Sequence, residues 1–449
     1  MASLYTTLVA KLIFPLHERL KRHTTVADRD HMEKVQWWSR DDIEALQVER
    51  LRSLLVHAKS QVPYYQRLFS EHGFSPESVK RIDDLQQLPF LTKAEIREHS
   101  DDLKANNAVG IARFNTGGSS GAPLIFYIGR RRVSHDVAAK WRATRWWGVD
   151  IGDPEIVVWG SPIELGSQDR VRAIRDKLLR TRLLSAFEIS DSKLDQFVEE
   201  IKQVRPKMLF GYPSALSLIA RHAECRGVDM SQLGIKVAFV TSERLYDEQR
   251  ADIERVFGCP VANGYGGRDA GFIAHQCPQG GMHITADDII VELIDQEGRP
   301  VADGMPGEIV VTHLATHDYP FIRYRTGDIA VMSTDTCACG RGLPMLQEIQ
   351  GRATDFIRAA DGTMMHGLAL IYVLRDVESV ETFKIIQESK TLLRVLLVAN
   401  ADFSDTDNMT ILSGLQKRMG EGVDVVIERV DEIPAEKSGK FRFVVNKIT

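Results

Sequence analysis

The sequence has few cysteines, no long uninterrupted hydrophobic segment and no large excess of one charge. Five cysteines in 449 residues are too few and too unevenly spaced for a disulfide framework, which predicts a reducing, cytoplasmic environment. The 57 basic and 62 acidic residues are interspersed, so nucleic acid is not indicated as the main partner. Neither an HExxH motif nor a dinucleotide-binding GxGxxG fingerprint is present, which argues against a zinc protease and a dinucleotide-dependent enzyme.

The apolar segment at residues 4–16 is interrupted by Lys11 and Pro15 and is too short to span a bilayer. No basic residue precedes it and charged residues follow it, which is the reverse of a secretory signal. The segment predicts an N-terminal helix packed on the body of the protein. The alternative is contact with a membrane surface through Leu8, Ile13 and Phe14.

Short β-branched segments alternate with amphipathic helical patterns in the middle of the chain. Strands are predicted at 155–159, 207–212 and 236–242, and a helix between the first two carries Leu194, Phe197 and Ile201 on one face. This alternation predicts βαβ units around a mainly parallel sheet. Before them, apolar residues at helical spacing predict one helix over 41–61.

The pattern changes after Gly264, where strands follow one another through turns without intervening helices. This predicts an antiparallel, barrel-like subdomain. Beyond Gly351, strand patterns and a helix near 409–420 predict a small α+β unit. The fold class is therefore α/β, with a large N-terminal region, residues 1–350, and a small C-terminal domain, residues 351–449.

A loop rich in glycine and hydroxyl side chains, FNTGGSSGAP, lies at 114–123. Its backbone N–H groups and hydroxyls are suited to phosphate oxygens, although no GK[ST] closes it as in a Walker A loop. The same loop matches GxSxG, which would make Ser119 the nucleophile of a serine hydrolase. A strand pattern, not a helix, follows the loop, so the hydrolase interpretation is the weaker one. An isolated loop of this kind would otherwise be read as a polar turn.

Four further motifs follow this loop in the chain: NGYGGRDAG (263–271), YRTGD (324–328), GRATDFI (351–357) and SGK (438–440). In this order, the five motifs resemble the series of the adenylate-forming enzymes, which include acyl-CoA synthetases and luciferases. VPYY (62–65), LPFLTKAEIRE (88–98) and PFIRYRTGDIA (320–330) are most similar to the phenylacetate-CoA ligase and coenzyme F390 synthetase branch. The resemblance covers essentially the whole chain.

The resemblance implies a role for each matching residue. Tyr265 and Gly266 would line the adenine and acyl pockets, and Asp328 would accept hydrogen bonds from the ribose hydroxyls. Arg325 would contact phosphate, with a surface ion pair as the alternative. Lys440 would bridge the acid and the α-phosphate as a catalytic residue. The ATP β- and γ-phosphates would be held by Thr116, Gly117, Gly118, Ser119, Ser120 and Gly121.

The chain departs from the family motif at three positions, the first of which is Ala122, where a basic residue is usual just after the phosphate loop. Asp269 stands where the family places a glutamate that holds Mg²⁺, and we expect it to hold the ion directly or through water. Thr354 replaces the first aspartate of the hinge motif, with Asp355 beside it. The last two departures suggest an alternative, which is an ATP-binding protein without turnover.

Cys277 and His283 are followed, after 53 intervening residues, by Cys337-x-Cys339. Three thiols and one imidazole are a possible ligand set for a structural, tetrahedral zinc ion. All three cysteines lie in polar, turn-rich sequence, which favours a metal over buried reduced thiols.

A second candidate region is TSERL, which follows a strand predicted to be buried. Ligands of open α/β sheets bind at the carboxyl ends of the strands, so Thr241, Ser242 and Glu243 are expected to border the acyl pocket. The tryptophans Trp141, Trp146 and Trp147 could wall a site for an aryl acid, but core packing on a helix is the preferred interpretation.

The resemblance implies a reaction in two steps. A carboxylic acid, with phenylacetate-like and other aryl acids first by analogy, would react with ATP and Mg²⁺ to give an acyl-adenylate and pyrophosphate. A mobile C-terminal lid would then turn about residues 351–355, and a thiol, most simply coenzyme A, would take the acyl group. An amine or a carrier protein is the alternative acceptor.

Overall fold

The computed structural model describes residues 4–115, 124–159, 170–186, 191–352, 356–360, 364–366, 368–420, 422–434 and 442–448. It divides into two compact units. The first comprises Met1–Thr326 with Ala330–Ile349, and the second comprises Gly327–Ile329 with Gln350–Thr449.

The first unit begins with a helix whose middle turn has π geometry, Val9–Ile13. Short 3₁₀ turns lie at Pro76–Ser78, Ile82–Gln87 and Ser231–Leu233. Its α-helices are α1 Leu4–Leu8, α2 Phe14–Leu20, α3 Thr25–Val35, α4 Arg40–Gln61, α5 Pro63–Glu71, α6 Lys93–Glu98, α7 Arg130–Trp146, α8 Arg170–Leu179, α9 Asp191–Val204, α10 Pro213–Cys225 and α11 Asp247–Phe257.

The strands fall into one hairpin and one large sheet. The hairpin pairs β1 Ala112–Asn115 with β2 Ile125–Ile128. The large sheet has the order β10-β11-β12-β13-β9-β8-β7-β6-β5-β3-β4. Its strands are β3 Glu155–Trp159, β4 Thr181–Ser185, β5 Met208–Gly211, β6 Val237–Thr241, β7 Val261–Gly267, β8 Gly271–Gln276, β9 Met282–Ile284, β10 Ile289–Ile294, β11 Pro306–His313, β12 Tyr324–Met332 and β13 Met345–Arg352.

The parallel half of the sheet follows from the alternation of strands and helices. β4, β3, β5, β6 and β7 pair in parallel, as predicted for βαβ units. β5 and β6 are buried along their whole length, which explains their continuous apolar sequences. Helix α9 buries Leu194, Phe197 and Ile201 against this core.

The antiparallel half joins the parallel half through β7 and β8. β8 pairs with β7 and with β9 in antiparallel register, and β10 pairs with β11 in the same way. The two patterns that the sequence shows on either side of Gly264 are therefore two halves of one sheet. The turn between β7 and β8 lies where the pairing of the strands changes from parallel to antiparallel. The sheet therefore positions the residues of this turn.

The N-terminal helix packs on the first unit along one side only. Phe14 is buried and its ring meets Trp141 edge to face at 5.2 Å, whereas Leu8 is exposed. Among the helices in the described ranges, none combines the length and the hydropathy that crossing a bilayer would require.

The second unit is a small α+β structure. Its four-stranded sheet has the order β18-β17-β16-β19. A separate hairpin of β14 and β15 precedes these strands in the chain. Ser404 caps helix α13 by accepting from the N–H of Asp407. The elements are β14 Phe356–Arg358, β15 Met364–His366, α12 Leu368–Arg375, β16 Val380–Ser389, β17 Leu392–Ala399, α13 Asp405–Met419, β18 Asp424–Arg429 and β19 Val444–Asn446.

Close approach of two backbone segments at the β7–β8 turn requires glycine at position 266. A Cβ there would lie 2.1 Å from the carbonyl oxygen of Gly271. Gly266→Ala should therefore lower the free energy of unfolding by about 1–3 kcal/mol in urea denaturation. Gly422→Ala is the control, because no atom lies within 4 Å of a Cβ at that position. Equal stability of the two variants would contradict the close packing of this turn.

Candidate functional site

The carboxyl end of β6 carries two of the residues expected at the acyl pocket. Thr241 is buried and lies opposite Gly264 of β7, and Ser242 has a φ of +72°, in the left-handed region that few non-glycine residues adopt. Glu243 accepts from the backbone N–H of Ser214, at the start of α10, at 3.3 Å. These residues lie at the sheet edge where parallel strands bind ligands.

Tyr265 and Asp269 lie on β7 and on the turn that follows it. Tyr265 is half-buried opposite Ala274 of β8, and the register shifts between Tyr265 and Gly266. The shift interrupts the strand immediately before the turn. Tyr265 and Asp269 are thus carried by one hairpin, as their shared motif predicts.

Two hydrogen bonds hold the Asp269 carboxylate. The hydroxyl of Tyr324, the first residue of β12, donates to Oδ2 at 2.6 Å, and the backbone N–H of Ala270 donates to Oδ1 at 3.1 Å. An ionised carboxylate has about four acceptor positions, so these two bonds leave capacity for a hard cation or its water. The donor set therefore fits Mg²⁺.

The turn itself is held by a side chain that sequence reasoning missed. Arg132, buried on α7, donates to the carbonyl oxygens of Arg268 and Asp269, both at 3.4 Å. Its Nε lies 2.9 Å from both carboxylate oxygens of Asp136, one helical turn away. The available signal was weak, since an Arg and an Asp four residues apart are common on exposed helices.

Asp136 stays ionised in this environment. Burial opposes its ionisation, but the charge of Arg132 and the nearby imidazoles of His135, at 3.4 Å, and His313, at 3.9 Å, outweigh burial and lower the pKa of Asp136. Burial lowers the pKa of His313 well below its usual value, so this imidazole is neutral near pH 7. The cluster therefore presents one firm ion pair, Arg132–Asp136, beneath the turn.

Arg325 is engaged by a carboxylate. Its Nε lies 3.0 and 3.1 Å from the two carboxylate oxygens of Glu308 on β11, an arrangement that matches the ion-pair alternative. The hydrogen bonds from Arg325 to Glu308 raise the pKa of the guanidinium further. Asp328 lies on β12, three residues beyond Arg325.

Several predicted site residues lie outside the described residues. These are Lys440, the hinge residues Thr354 and Asp355, and the loop residues Thr116, Gly117, Gly118, Ser119, Ser120 and Gly121. The segments that flank the loop are described, and the one that follows it is the strand β2. A nucleophile elbow requires a helix there, so the serine-hydrolase interpretation has no structural context.

A second group of side chains meets where β8, β9 and the connection between β12 and β13 come together. One ligand atom from each of Cys277, His283, Cys337 and Cys339 lies within 4.8 Å of all the others. The Cys277 and Cys337 sulfurs are 3.6 Å apart, and the Cys339 sulfur is 3.2 Å from Nε2 of His283. Three thiols and one imidazole at these separations suit a tetrahedral zinc ion.

The imidazole of His283 is oriented for this role. Its Nδ1 lies 3.3 Å from the carbonyl oxygen of Leu343, which accepts from the ring N–H and leaves the lone pair of Nε2 directed at the cysteines. The Trp146 ring meets this imidazole edge to face at 5.7 Å. Trp146 also donates to Gln36 and Trp147 to Gln276, which agrees with packing of these tryptophans on the body of the protein.

Comparison with known protein families finds two matches. Residues 184–316 match the AMP-binding enzyme family, and residues 357–447 match the CapK C-terminal domain. Protein CapK of Staphylococcus aureus is 24% identical over 416 residues, which cover 91% of this chain and 90% of that protein. A phenylacetate-coenzyme A ligase of Thermus thermophilus is 26% identical over 330 residues, 71% of this chain and 72% of the ligase.

Solved structures show the same fold. A 2-hydroxyisobutyryl-CoA ligase in the postadenylation state, in complex with R3-HIB-AMP, aligns with a TM-score of 0.75 at 21% identity and covers 93% of this chain and 92% of its own. An amide bond synthetase of Marinactinospora thermotolerans aligns with a TM-score of 0.53 at 19% identity, over 74% and 67% of the two chains.

The Arg132–Asp136 pair should be needed for stability. Arg132→Met would leave a largely buried carboxylate without its partner, and we expect a loss of about 3 kcal/mol in the free energy of unfolding. Arg131→Met, at the adjacent exposed position, is the matched control and should change stability by less than about 0.5 kcal/mol. Chemical denaturation of both variants measures the difference, and similar values would mean that the pair does not support the turn.

Proposed function

Because the chain belongs to the adenylate-forming superfamily, in its phenylacetate-CoA ligase-like branch, we propose that it is an AMP-forming ligase that joins a carboxylic acid to coenzyme A. In the first step an oxygen of the acid attacks the α-phosphorus of ATP and pyrophosphate leaves. In the second step the sulfur of coenzyme A attacks the acyl carbon, and the bond from that carbon to the AMP oxygen breaks. The thiol proton leaves to solvent.

The pair of family matches is the observation that supports this proposal most. The AMP-binding enzyme match, at 184–316, contains the β7–β8 turn with Tyr265 and Asp269, and the CapK C-terminal match, at 357–447, contains Lys440. The turn is held by Arg132 and Tyr324 in a geometry that leaves Asp269 able to hold a cation. In both half-reactions negative charge is concentrated on the reacting groups, and such a cation and a lysine would offset it.

We assign the residues as follows. Asp269 would hold Mg²⁺, an ion that supplies positive charge to phosphate oxygens when it is bound. Tyr265 and Gly266 line the nucleotide and acyl pockets, and Asp328 accepts from the ribose hydroxyls. By the resemblance, Lys440 would interact with both the acid and the α-phosphate, and the loop 116–121 would hold the β- and γ-phosphates. Arg325 keeps Glu308 as its partner and has no part in this assignment.

An aryl acid of the phenylacetate type is the proposed substrate class. The half-buried ring of Trp159, at the carboxyl end of β3, stacks on the buried ring of Tyr212, which follows β5, with centroids 4.4 Å apart. Both lie at the same ends of parallel strands as Thr241, and the flat ring of Trp159 favours a flat substrate. An amine or a carrier protein is the second candidate for the acyl acceptor, since an amide bond synthetase shares the fold.

Pyrophosphate release tests the proposal. Purified protein with MgATP should release pyrophosphate only when an acid is present, and coenzyme A should stimulate release. Lys440→Ala should lower the rate by at least about a hundredfold, because it removes a charge that stabilises the transition state, while ATP binding persists. The control is Lys390→Ala, at an exposed position between β16 and β17, which should retain the wild-type rate.

Each other result has a distinct meaning. Acid-dependent release without stimulation by coenzyme A would favour an amine or a carrier protein as acceptor. ATP binding without release, over a broad panel of acids, would favour the protein without turnover. Ester cleavage without ATP that is lost in Ser119→Ala would support the hydrolase instead.

We also propose that Cys277, His283, Cys337 and Cys339 bind a structural zinc ion. Four protein ligands leave no open coordination position, so the ion would have no catalytic role. It would join the β8–β9 turn to the connection between β12 and β13, two segments whose sequences are polar and rich in turn residues.

Elemental analysis of protein purified without chelator should find about one zinc per chain. Cys337→Ser should lose the metal and unfold at lower denaturant concentration, because three ligands remain and the segments are no longer joined. Cys225→Ser, at an exposed cysteine outside the cluster, should keep both metal and stability. Wild-type protein that contains no zinc, and that is no less stable than the Cys225→Ser control, would contradict this proposal.

A further inference from the structure

The N-terminal helix carries a row of exposed leucines. Leu4, Leu8, Leu12, Leu16 and Leu20, here called the leucine row, recur at every fourth position and are between 46% and 92% exposed. Single exposed leucines are ordinary, but a continuous apolar row along a surface marks an interaction site.

The π turn in the middle of the helix keeps these leucines on one side. In an α-helix a step of four residues turns about 40° beyond a full turn, so a row with this spacing would wind around the axis. The segment Val9–Ile13 has π geometry, in which each residue turns through a smaller angle, and this reduces the drift along the row. π turns of this kind are frequent at functional sites.

The opposite side of the helix is attached to the first unit. Val9 is buried so closely against Gly152 that a Cβ at position 152 would lie 2.6 Å from it. The hydroxyl of Thr6 donates to Asp153 at 2.9 Å, and Phe14 packs on Trp141. The leucine row therefore faces outward because the other face is fixed.

Helix α8 extends the apolar surface. Its residues Ile174 and Leu178 are 61% and 42% exposed. Tyr5, next to the leucine row, donates from its hydroxyl to the carbonyl oxygen of Leu178 at 2.9 Å, and the guanidinium of Arg180 lies over its ring. The two helices thus form one continuous surface.

The charged residues of this surface are almost all basic. Lys11, Arg19, Lys21 and Arg22 are exposed, and the only acidic residue before Asp28 is Glu18, which is buried with its carboxylate next to His17, His23 and Thr25. In α8 the only acidic residue is Asp176, which pairs with Arg175 at 2.5 Å. An apolar row with a cationic border is the pattern of helices that lie in the interface of an anionic membrane.

We propose that the leucine row, together with Ile174 and Leu178, docks the protein on the surface of a bilayer that contains anionic lipid. The leucines would enter the boundary between headgroups and acyl chains, and the basic side chains would contact the lipid phosphates. A second copy of the chain fits this surface less well. A two-fold contact sets the same patch against itself, and here it would bring cations against cations.

Flotation with vesicles tests the proposal. The full chain should bind vesicles of phosphatidylcholine that contain about one third phosphatidylglycerol, and should bind pure phosphatidylcholine at least about tenfold more weakly. Raising the ionic strength from about 0.1 M to about 1 M should weaken binding, because the Debye length falls from about 10 Å to about 3 Å.

Double variants distinguish binding through this surface from nonspecific binding through any exposed apolar side chain. Leu12→Gln with Leu16→Gln should lower binding to the anionic vesicles at least about tenfold, and Lys11→Gln with Arg19→Gln should remove the preference for anionic lipid. The control, Met305→Gln with Met409→Gln, changes two residues of similar exposure elsewhere and should bind like the wild type.

Three results would overturn the proposal. These are no binding to anionic vesicles, equal binding to neutral ones, and equal loss in the control variant. Sedimentation equilibrium tests whether a second copy of the chain occupies the surface instead. The surface would be assigned to a second copy if the wild type forms a dimer, the Leu12 and Leu16 changes dissociate it, and no vesicle binding is seen. None of these variants touches a residue of the proposed active site, so pyrophosphate release reports separately on activity.

Discussion

The buried guanidinium of Arg132 is the contact on which the candidate site depends. It joins helix α7 to the β7–β8 turn through two carbonyl oxygens, and it forms an ion pair with Asp136 on the same helix. A turn that contains several glycines has little stiffness of its own. The Arg132–Asp136 ion pair therefore holds the glycine-rich turn in place from the side of α7. The hydroxyl of Tyr324, on β12, also holds the turn through its hydrogen bond to Asp269.

The sheet explains why the site residues come from distant motifs. β7 is paired in parallel with β6 on one side and in antiparallel with β8 on the other. The carboxyl end of β6, with Thr241 and Ser242, is therefore beside the strand that leads to Asp269. A single change in pairing direction brings the βαβ half and the antiparallel half of the chain to one edge, where ligands of α/β sheets bind.

The Cys/His cluster and the leucine row are two features of the first unit that lie apart from the proposed adenylation residues. At the β8–β9 turn, polar sequence is held by side chains suited to a metal ion. At the N-terminus, apolar side chains remain outside because the opposite helix face is already occupied by packing on Trp141 and Gly152. Neither feature involves the residues proposed for adenylation, so the three parts of the molecule can be altered independently.

Patterns that depend on near neighbours were determined by the sequence itself. Helix α4 runs from Arg40 to Gln61 where a helix over 41–61 was predicted, and β6 lies within the predicted strand, because periodicity of apolar residues is a local property. The order of the adenylation motifs and the Cys/His ligand set could also be identified from the sequence, because each residue type limits the ligands and reactions that a site can support.

Only the tertiary structure decided the partners of charged residues and the faces that remain exposed. Arg325, whose motif also fits a phosphate contact, pairs with Glu308, and Arg132, in a sequence of three arginines typical of an exposed helix face, is buried next to the β7–β8 turn. Phe14 packs inward while Leu8 and the rest of the leucine row face out. These partners lie on other elements, 17 residues away for Arg325 and more than a hundred for Arg132 and Phe14, and a local pattern carries no information about which of them it will meet.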